Sequence, residues 1–276
     1  MNSRKKVVFW KYVIMVIVAI IMGFPYFWLL TTSLKESSKI FLFPPQWLPN
    51  PVRWQNYVDL FGKTNYALYL WNSIKVSTLT TAGTVLVAAT AAFATAKIKF
   101  PGRNFFFLLF LSAMMLPVEV IAIPLFLGFA KFGLTNTHFS IIVPAFFGTG
   151  GAFGMFLMRQ FFITIPDDLM EAAKIDGCTP LRSFVLVFMP LASSVCATLV
   201  IYTFVNTWND YFVPLIFLNS SPLYTSTLAL ALFTDETGTT WNQLMAAATV
   251  STLPLLIVFF FSQKRFIESL ALSGIK

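Results

Sequence analysis

Of the 276 residues, 57% are hydrophobic and 11% are charged, where a soluble domain carries charge on about a quarter of its positions. So few charges cannot clothe a surface that faces water, which excludes an ordinary soluble globule. The net charge of +8 suggests nucleic acid at first sight, but the placement of the cations, described below, argues against it.

In chain order, the first uncharged run covers 12–34, and its 23 residues exceed the roughly 20 that a bilayer core requires. A basic start before an apolar run can mark a cleaved signal. This run is longer than a signal core and no small-x-small site follows it, so it reads as a retained first span. The segment 35–65 is stiffened by Phe43-Pro44-Pro45 and Pro49-Asn50-Pro51, with a short helix expected at about 54–61. It reads as a capping loop, with a docking surface for an extracytoplasmic partner as the less favoured alternative.

A second span at 69–96 is rich in small residues, among them Thr80, Gly83, Ala88, Ala89 and Ala92. Small residues let helix backbones approach closely in lipid, which places this helix inside the bundle. The third span, 104–130, opens on Phe105, Phe106 and Phe107 and is interrupted only by Glu119. The fourth, 138–159, contains Gly148, Gly150, Gly151 and Gly154. No Lys-Ser/Thr follows them, so they form no phosphate loop and instead allow a kink or close packing. The fifth is expected at 191–218 and the sixth at 242–263. The expected fold is an all-α membrane protein of six transmembrane helices in a single domain, 1–276.

With the N-terminus inside, inner segments hold 13 of the 19 lysines and arginines and outer segments six. This is the positive-inside bias; it sets both termini in the cytoplasm and leaves no basic patch to be explained by nucleic acid. Cys178 and Cys196 fall toward the inner side and read as reduced thiols. No internal repeat is visible.

Four of the chain's 11 acids, Asp167, Asp168, Glu171 and Asp176, lie in one inner loop between spans four and five. Pro166 suits a first helical position and the two aspartates the first turn. Leu169, Ala172 and Ala173 are expected to form an apolar stripe. Gly177 stops this helix, and Thr179 with Pro180 starts a second that runs toward Pro190.

Glu171-Ala172-Ala173, Asp176-Gly177, Phe184 and Pro190 resemble the EAA motif of binding-protein-dependent ABC permeases, E-A-A-x-x-D-G-x6-F-x5-P, at every position. Phe43-Pro44-Pro45, Asn56-Tyr57, Asn72-Ser73, Phe100-Pro101-Gly102-Arg103, the 133–137 run Gly-Leu-Thr-Asn-Thr, Trp208-Asn209-Asp210 and Pro214-Leu215 extend the likeness to the second permease subunit of the maltose type, a carbohydrate-uptake group. The end of the chain, 273–276, resembles that group's tail but stops about a residue short. The resemblance implies a type I ABC importer permease fold with a cytoplasmic coupling helix in the segment 164–190. Glu171, Ala172, Ala173, Asp176 and Gly177 would then couple the chain to an ATPase. It further implies a homologous second permease, two ATP-binding subunits and an extracytoplasmic solute-binding protein, in the bacterial inner membrane. ATP and Mg would sit on the partner ATPases, with no cofactor and no metal in this chain and no catalytic residue.

Ionisable groups within spans default to a functional role. Glu119, 16 residues beyond Arg103, would sit about 24 Å along span three, after a possible kink at Pro117. Asp210, with Asn206, Trp208 and Asn209, lies toward the outer part of span five, where amides, a carboxylate and an aromatic face suit a hydroxyl-rich solute. These five are candidates for the substrate path, against the plainer reading that they bind neighbouring helices. His138 reads as interfacial. The other class of function is a self-sufficient secondary transporter using Glu119 or Asp210 as an ion site, which inverted repeats would favour. An intramembrane enzyme would need a nucleophile with its base, or metal ligands, at matched depth, and one outer His and two inner Cys do not supply them. The resemblance points to sugars or polyols, with glycerol phosphate in the same group; the absence of cations deep in the spans favours a neutral solute.

Overall fold

The computed structural model describes residues 3–235 and 238–273. In chain order the helices are α1 (Ser3–Ser33), α2 (Gln55–Lys63), α3 (Tyr66–Lys97), α4 (Arg103–Ser112), α5 (Val118–Lys131), α6 (Phe139–Ala145), α7 (Thr149–Thr164), α8 (Asp168–Ile175), α9 (Pro180–Ser183), α10 (Met189–Leu191), α11 (Ser193–Asn209), α12 (Phe212–Phe217), α13 (Ser226–Ala229) and α14 (Trp241–Ser273). A wide π turn, Phe184–Phe188, joins α9 to α10, and a two-residue hairpin, Thr234–Asp235 with Gly238–Thr239, precedes α14.

Among the described residues four stretches are long and apolar enough to cross a membrane unaided, Val8–Ser33, Tyr66–Lys97, Phe139–Thr164 and Trp241–Phe261, and the total reaches six if each of two bent pairs is one span. Spans three and five are therefore not the straight helices the hydropathy suggested. Pro117 cannot donate into a helical ladder, and the axis turns by 103° between Arg103–Met115 and Val118–Lys131. The second break lies at Ala192, where Pro180–Leu191 and Ser193–Asn209 meet at 82°. The 211–218 stretch is not a continuation of span five either: Asp210 leaves the helical conformation and α12 begins anew. Residues 274–276 of the tail lie outside the described residues.

Contacts gather into two compact units. The first comprises Met1–Ala67 and Ala229–Leu253. Within it, α1 is exposed from Val8 to Phe27 apart from the partly covered Val13, as a lipid-facing helix is. Its end is fastened by a buried amide: Asn56 Nδ2 donates to the carbonyls of Ser33 and Lys35, both at 2.8 Å, and Asn56 Oδ1 accepts from Asn242 Nδ2 at 3.0 Å. Lys35 is turned inward, donating to the Gln46 carbonyl with its ammonium 4.2 Å from the Trp28 ring centroid. The Trp47 ring lies edge-on to Phe24 and Trp28, which folds the 41–54 segment back onto α1.

The second unit comprises Leu68–Leu228 and Pro254–Lys276. Its core forms where α3 presents Ala88, Ala89, Ala92 and Phe93 to Met155, Met158 and Phe162 of α7, Phe184 and Phe188 of the π turn, and Leu199 of α11. The small residues of α3 are buried because their neighbours approach where a larger side chain would stand. At Gly154 a Cβ would lie 2.8 Å from Leu199 and 3.0 Å from Ala88, so α3, α7 and α11 meet at that point. At Gly151 a Cβ would lie 1.9 Å from the Phe146 carbonyl oxygen, and the break between α6 and α7 depends on that absence.

Candidate functional site

The acidic loop folds as its residues dictate. Asp167 takes the position before α8, which begins at Asp168, two places later than Pro166 suggested, and Asp168 and Glu171 occupy the first turn, where the helix dipole favours anions. At the other end Gly177 adopts φ +78°. Its N–H donates to Lys174 O at 3.0 Å, and that of Cys178 donates to Ala173 O at 2.9 Å. This six-to-one and five-to-two pairing satisfies the last carbonyls of α8. Thr179 Oγ1 then accepts from Arg182 N at 3.3 Å and caps α9, with Pro180 in its first turn.

The apolar stripe is not the one expected. Met170 and Ala173 are buried, Met170 within the core of Phe162, Phe184 and Phe188. Leu169 and Ala172 face outward. The reason is helical geometry: Met170 and Ala173 are three positions apart, which puts both on the face that meets the π turn. That leaves an exposed surface of Leu169, Glu171, Ala172, Asp176 and Gly177, with Ile175 86% exposed. So large an aliphatic group in water is unfavourable by about 1.5–3 kcal/mol relative to burial.

Lys97, the last residue of α3, holds the segment from the other side. Its Nζ donates to Ile165 O and to the Asp167 carboxylate at 2.6 Å, and the side chain is only 3% exposed although that of Asp167 is 75% exposed. The hydrogen bond and the charge of Lys97 hold the Asp167 carboxyl below its ordinary 3.8, with Lys99 and Arg103 acting the same way. Sequence reasoning counted Lys97 only among the topology-setting cations. Its position four residues beyond Phe93, on the same helical face, was the available signal.

The candidates for the solute path are separated by the structure. Asn206 and Asn209 are exposed on α11, each using its amide N–H on its own helix, to Tyr202 O and Val205 O at 2.9 Å. Their Oδ1 atoms are thus left as acceptors on one face with the half-exposed Tyr202. Trp208 is not on that face: it is 2% exposed and stacks on Phe204 with centroids 5.7 Å apart, while its carbonyl accepts from Thr227 Oγ1. Asp210 is half-buried and accepts from Val213 N at 3.2 Å, capping α12. Glu119 is exposed in the first turn of α5, beyond the bend rather than 24 Å along a straight helix.

A further group of residues escaped functional reading. The irregular stretch 219–226 is secured by Asn136, whose Oδ1 accepts from Asn219 N at 2.9 Å and Ser220 N at 3.0 Å, and by Asn72 Nδ2, which donates to Pro222 O at 2.9 Å and Tyr224 O at 3.0 Å. Ser73 accepts from Ser226 N at 2.7 Å. His138 Nε2 lies 2.8 Å from Leu223 O and so carries the proton. Among the described residues no group of three or more His, Cys, Asp or Glu could hold a metal ion.

Residues 84–271 match the family model for the binding-protein-dependent transport system inner membrane component. The chain is 31% identical over 271 residues to the Bacillus subtilis protein named "Probable ABC transporter permease protein YurM", covering 97% of this chain and 87% of that one. It is 32% identical to the arabinooligosaccharides transport system permease protein AraQ of Halalkalibacterium halodurans, over 83% and 81% of the two chains. With the sn-glycerol-3-phosphate transport system permease protein UgpE of Pectobacterium atrosepticum it shares 30% identity over 98% of each. A crystal structure of a bacterial ABC transporter that imports the acidic polysaccharide alginate has the same fold, with a TM-score of 0.82 at 22% identity over 96% and 99% of the two chains. With four apolar helices long enough to cross a membrane, and up to six crossings if each bent pair is one span, and with this sequence match, the chain belongs to the inner-membrane permease family of binding-protein-dependent ABC transport systems.

Proposed function

We infer that this chain, acting as one permease domain over 1–276, forms half of the translocation path of an ATP-driven importer for a neutral sugar, oligosaccharide or polyol. A homologous permease would supply the other half, two ATP-binding subunits carrying ATP and Mg would drive it, and an extracytoplasmic binding protein would deliver the solute. The observation that carries the coupling part is the outward face of α8. Leu169, Ala172 and Ile175 are exposed there beside Glu171 and Asp176, on a helix whose other side is anchored by Met170 and Ala173. Alanine at 172 admits close approach, Glu171 and Asp176 are placed for basic partners, and the left-handed Gly177 makes the sharp turn. ATP would then bias a two-state equilibrium through contacts that differ between the states.

The solute class rests on the Tyr202, Asn206 and Asn209 face. Exposed amides on a spanning helix are unfavourable against lipid, so this face belongs toward a partner or the path. It offers acceptors and an aromatic ring, and no lysine or arginine lies between Ser193 and Asn209. Of the solutes named for its relatives, arabinooligosaccharides fit that face better than glycerol phosphate.

Co-purification of the tagged chain from its native membrane tests the reading. An ATPase and a second permease should accompany the wild type, and Glu171→Lys with Gly177→Pro should release the ATPase alone. Retention of the ATPase by the double variant, or its absence from wild type, would count against coupling through α8.

A further inference from the structure

The coupling segment is connected by sequence to α7 and, through the π turn, to α11. Its firmest lateral attachment is to a helix remote in sequence. Phe93 of α3 sits among Phe184, Phe188 and Phe162 with ring centroids at 5.2, 5.1 and 6.0 Å. One turn later on the same face, the Lys97 ammonium bonds Ile165 O and Asp167 and lies 5.9 Å from the Phe188 ring centroid. A lysine at a helix C-terminus ordinarily reaches into water, as the exposed Lys99 does. Lys97 is turned inward, where its desolvation is offset only by these partners.

We propose that Lys97 and Asp167 form a latch that carries movement of the coupling segment into α3. The Phe93 socket makes the inner end of α3 follow the π turn, and the latch makes it follow α8 as well. At 32 residues, α3 is about 48 Å long. Its outer part bears Asn72 and Ser73, which bond the 219–226 stretch. One rigid element thus joins the two ends of the second unit. Lys97 and Asp167 are positioning residues: they touch no solute, and they act through α3. The proposal rests on α8 being the ATPase contact.

The test uses the complete transporter in proteoliposomes, measuring solute taken up per ATP hydrolysed. Asp167→Asn is the leading variant, because Asp167 is largely exposed and Lys97 keeps its bond to Ile165 O. The expected result is an ATPase that stays bound and active while solute per ATP falls about five-fold or more. Lys97→Met should behave alike, Lys97→Arg should retain coupling, and the double variant Lys97→Met with Asp167→Asn should be no worse than either single change. Unchanged solute per ATP in Asp167→Asn, or additive losses in the double variant, would overturn the latch while leaving the α8 reading intact. Release of the ATPase by Asp167→Asn would overturn it too, by making Asp167 part of the docking face. A wild-type complex that holds no ATPase would overturn the α8 reading and the latch together.

Discussion

Two of the irregular segments between the helices are secured differently. The 219–226 stretch is closed on itself: Asn72, Ser73, Asn136 and His138 satisfy its backbone groups. The 165–179 stretch is equally well ordered internally, with a capped α8 and a left-handed Gly177. Yet it leaves Leu169, Ala172 and Ile175 facing outward. The first is a seam held by side chains from α3 and from Asn136 and His138; the second is a surface with one side unfinished. Two breaks of regular structure can thus serve opposite ends, and what distinguishes them is the chemistry left over.

The largest effect is expected at the break between α6 and α7, outside both segments. Gly151→Val should prevent the chain from accumulating in the membrane, because even a Cβ would lie 1.9 Å from the Phe146 carbonyl oxygen; normal expression would show that α6 and α7 can separate at no cost. At the outer seam, Asn136→Leu removes the acceptor of the solvent-accessible N–H groups of Asn219 and Ser220, about 0.5–1.5 kcal/mol per bond, and places a branched side chain at φ +58°, a strain of about 1–2 kcal/mol. Thermal unfolding in detergent would report it, with the ATPase still bound. At the inner surface, Gly177→Ala places a side chain at φ +78°, a strain of about 1–2 kcal/mol. A lower midpoint together with weaker ATPase retention is expected, where the seam variant lowers the midpoint alone.

The smallest effect concerns pH. Lys97 depresses the Asp167 carboxyl in the folded chain, so the associated stability is present above the unfolded value of 3.8 and is lost as pH falls through the lower folded value. The difference in midpoint between wild type and Asp167→Asn should therefore be constant from neutrality down to about 3.8 and shrink only below it. A difference that disappears well above that value would show that another group titrates there.

Much of this was legible in the sequence. The capping residues around α8 and the small-residue packing of α3 follow from local chemistry, because a Gly stop or an Ala-rich stripe needs no knowledge of distant neighbours. Pro117 marked a possible kink in the sequence, but the 103° size of that bend and the bend at Ala192 were not legible, since hydropathy is blind to direction. The inner stripe was misread at Leu169 and Ala172 because an eight-residue helix with apolar groups on two sides does not reveal which side meets the π turn. Trp208 looked like a sugar platform by residue type; only the fold shows it stacked on Phe204. Asn72 and Asn136 belong to stretches the family resemblance singled out, yet their work is visible only once both meet the 219–226 backbone.

The central claim is that the outward face of α8 meets an ATPase. The direct measurement is disulfide or maleimide cross-linking from Ala172→Cys, in a chain carrying Cys178→Ser and Cys196→Ser, within membranes that contain the whole transporter. The account predicts a cross-link to the ATP-binding subunit from position 172, and none from Ala173→Cys, whose side chain is buried against the chain's own core. Cross-linking from 173 but not 172, or from neither while transport persists, would contradict it.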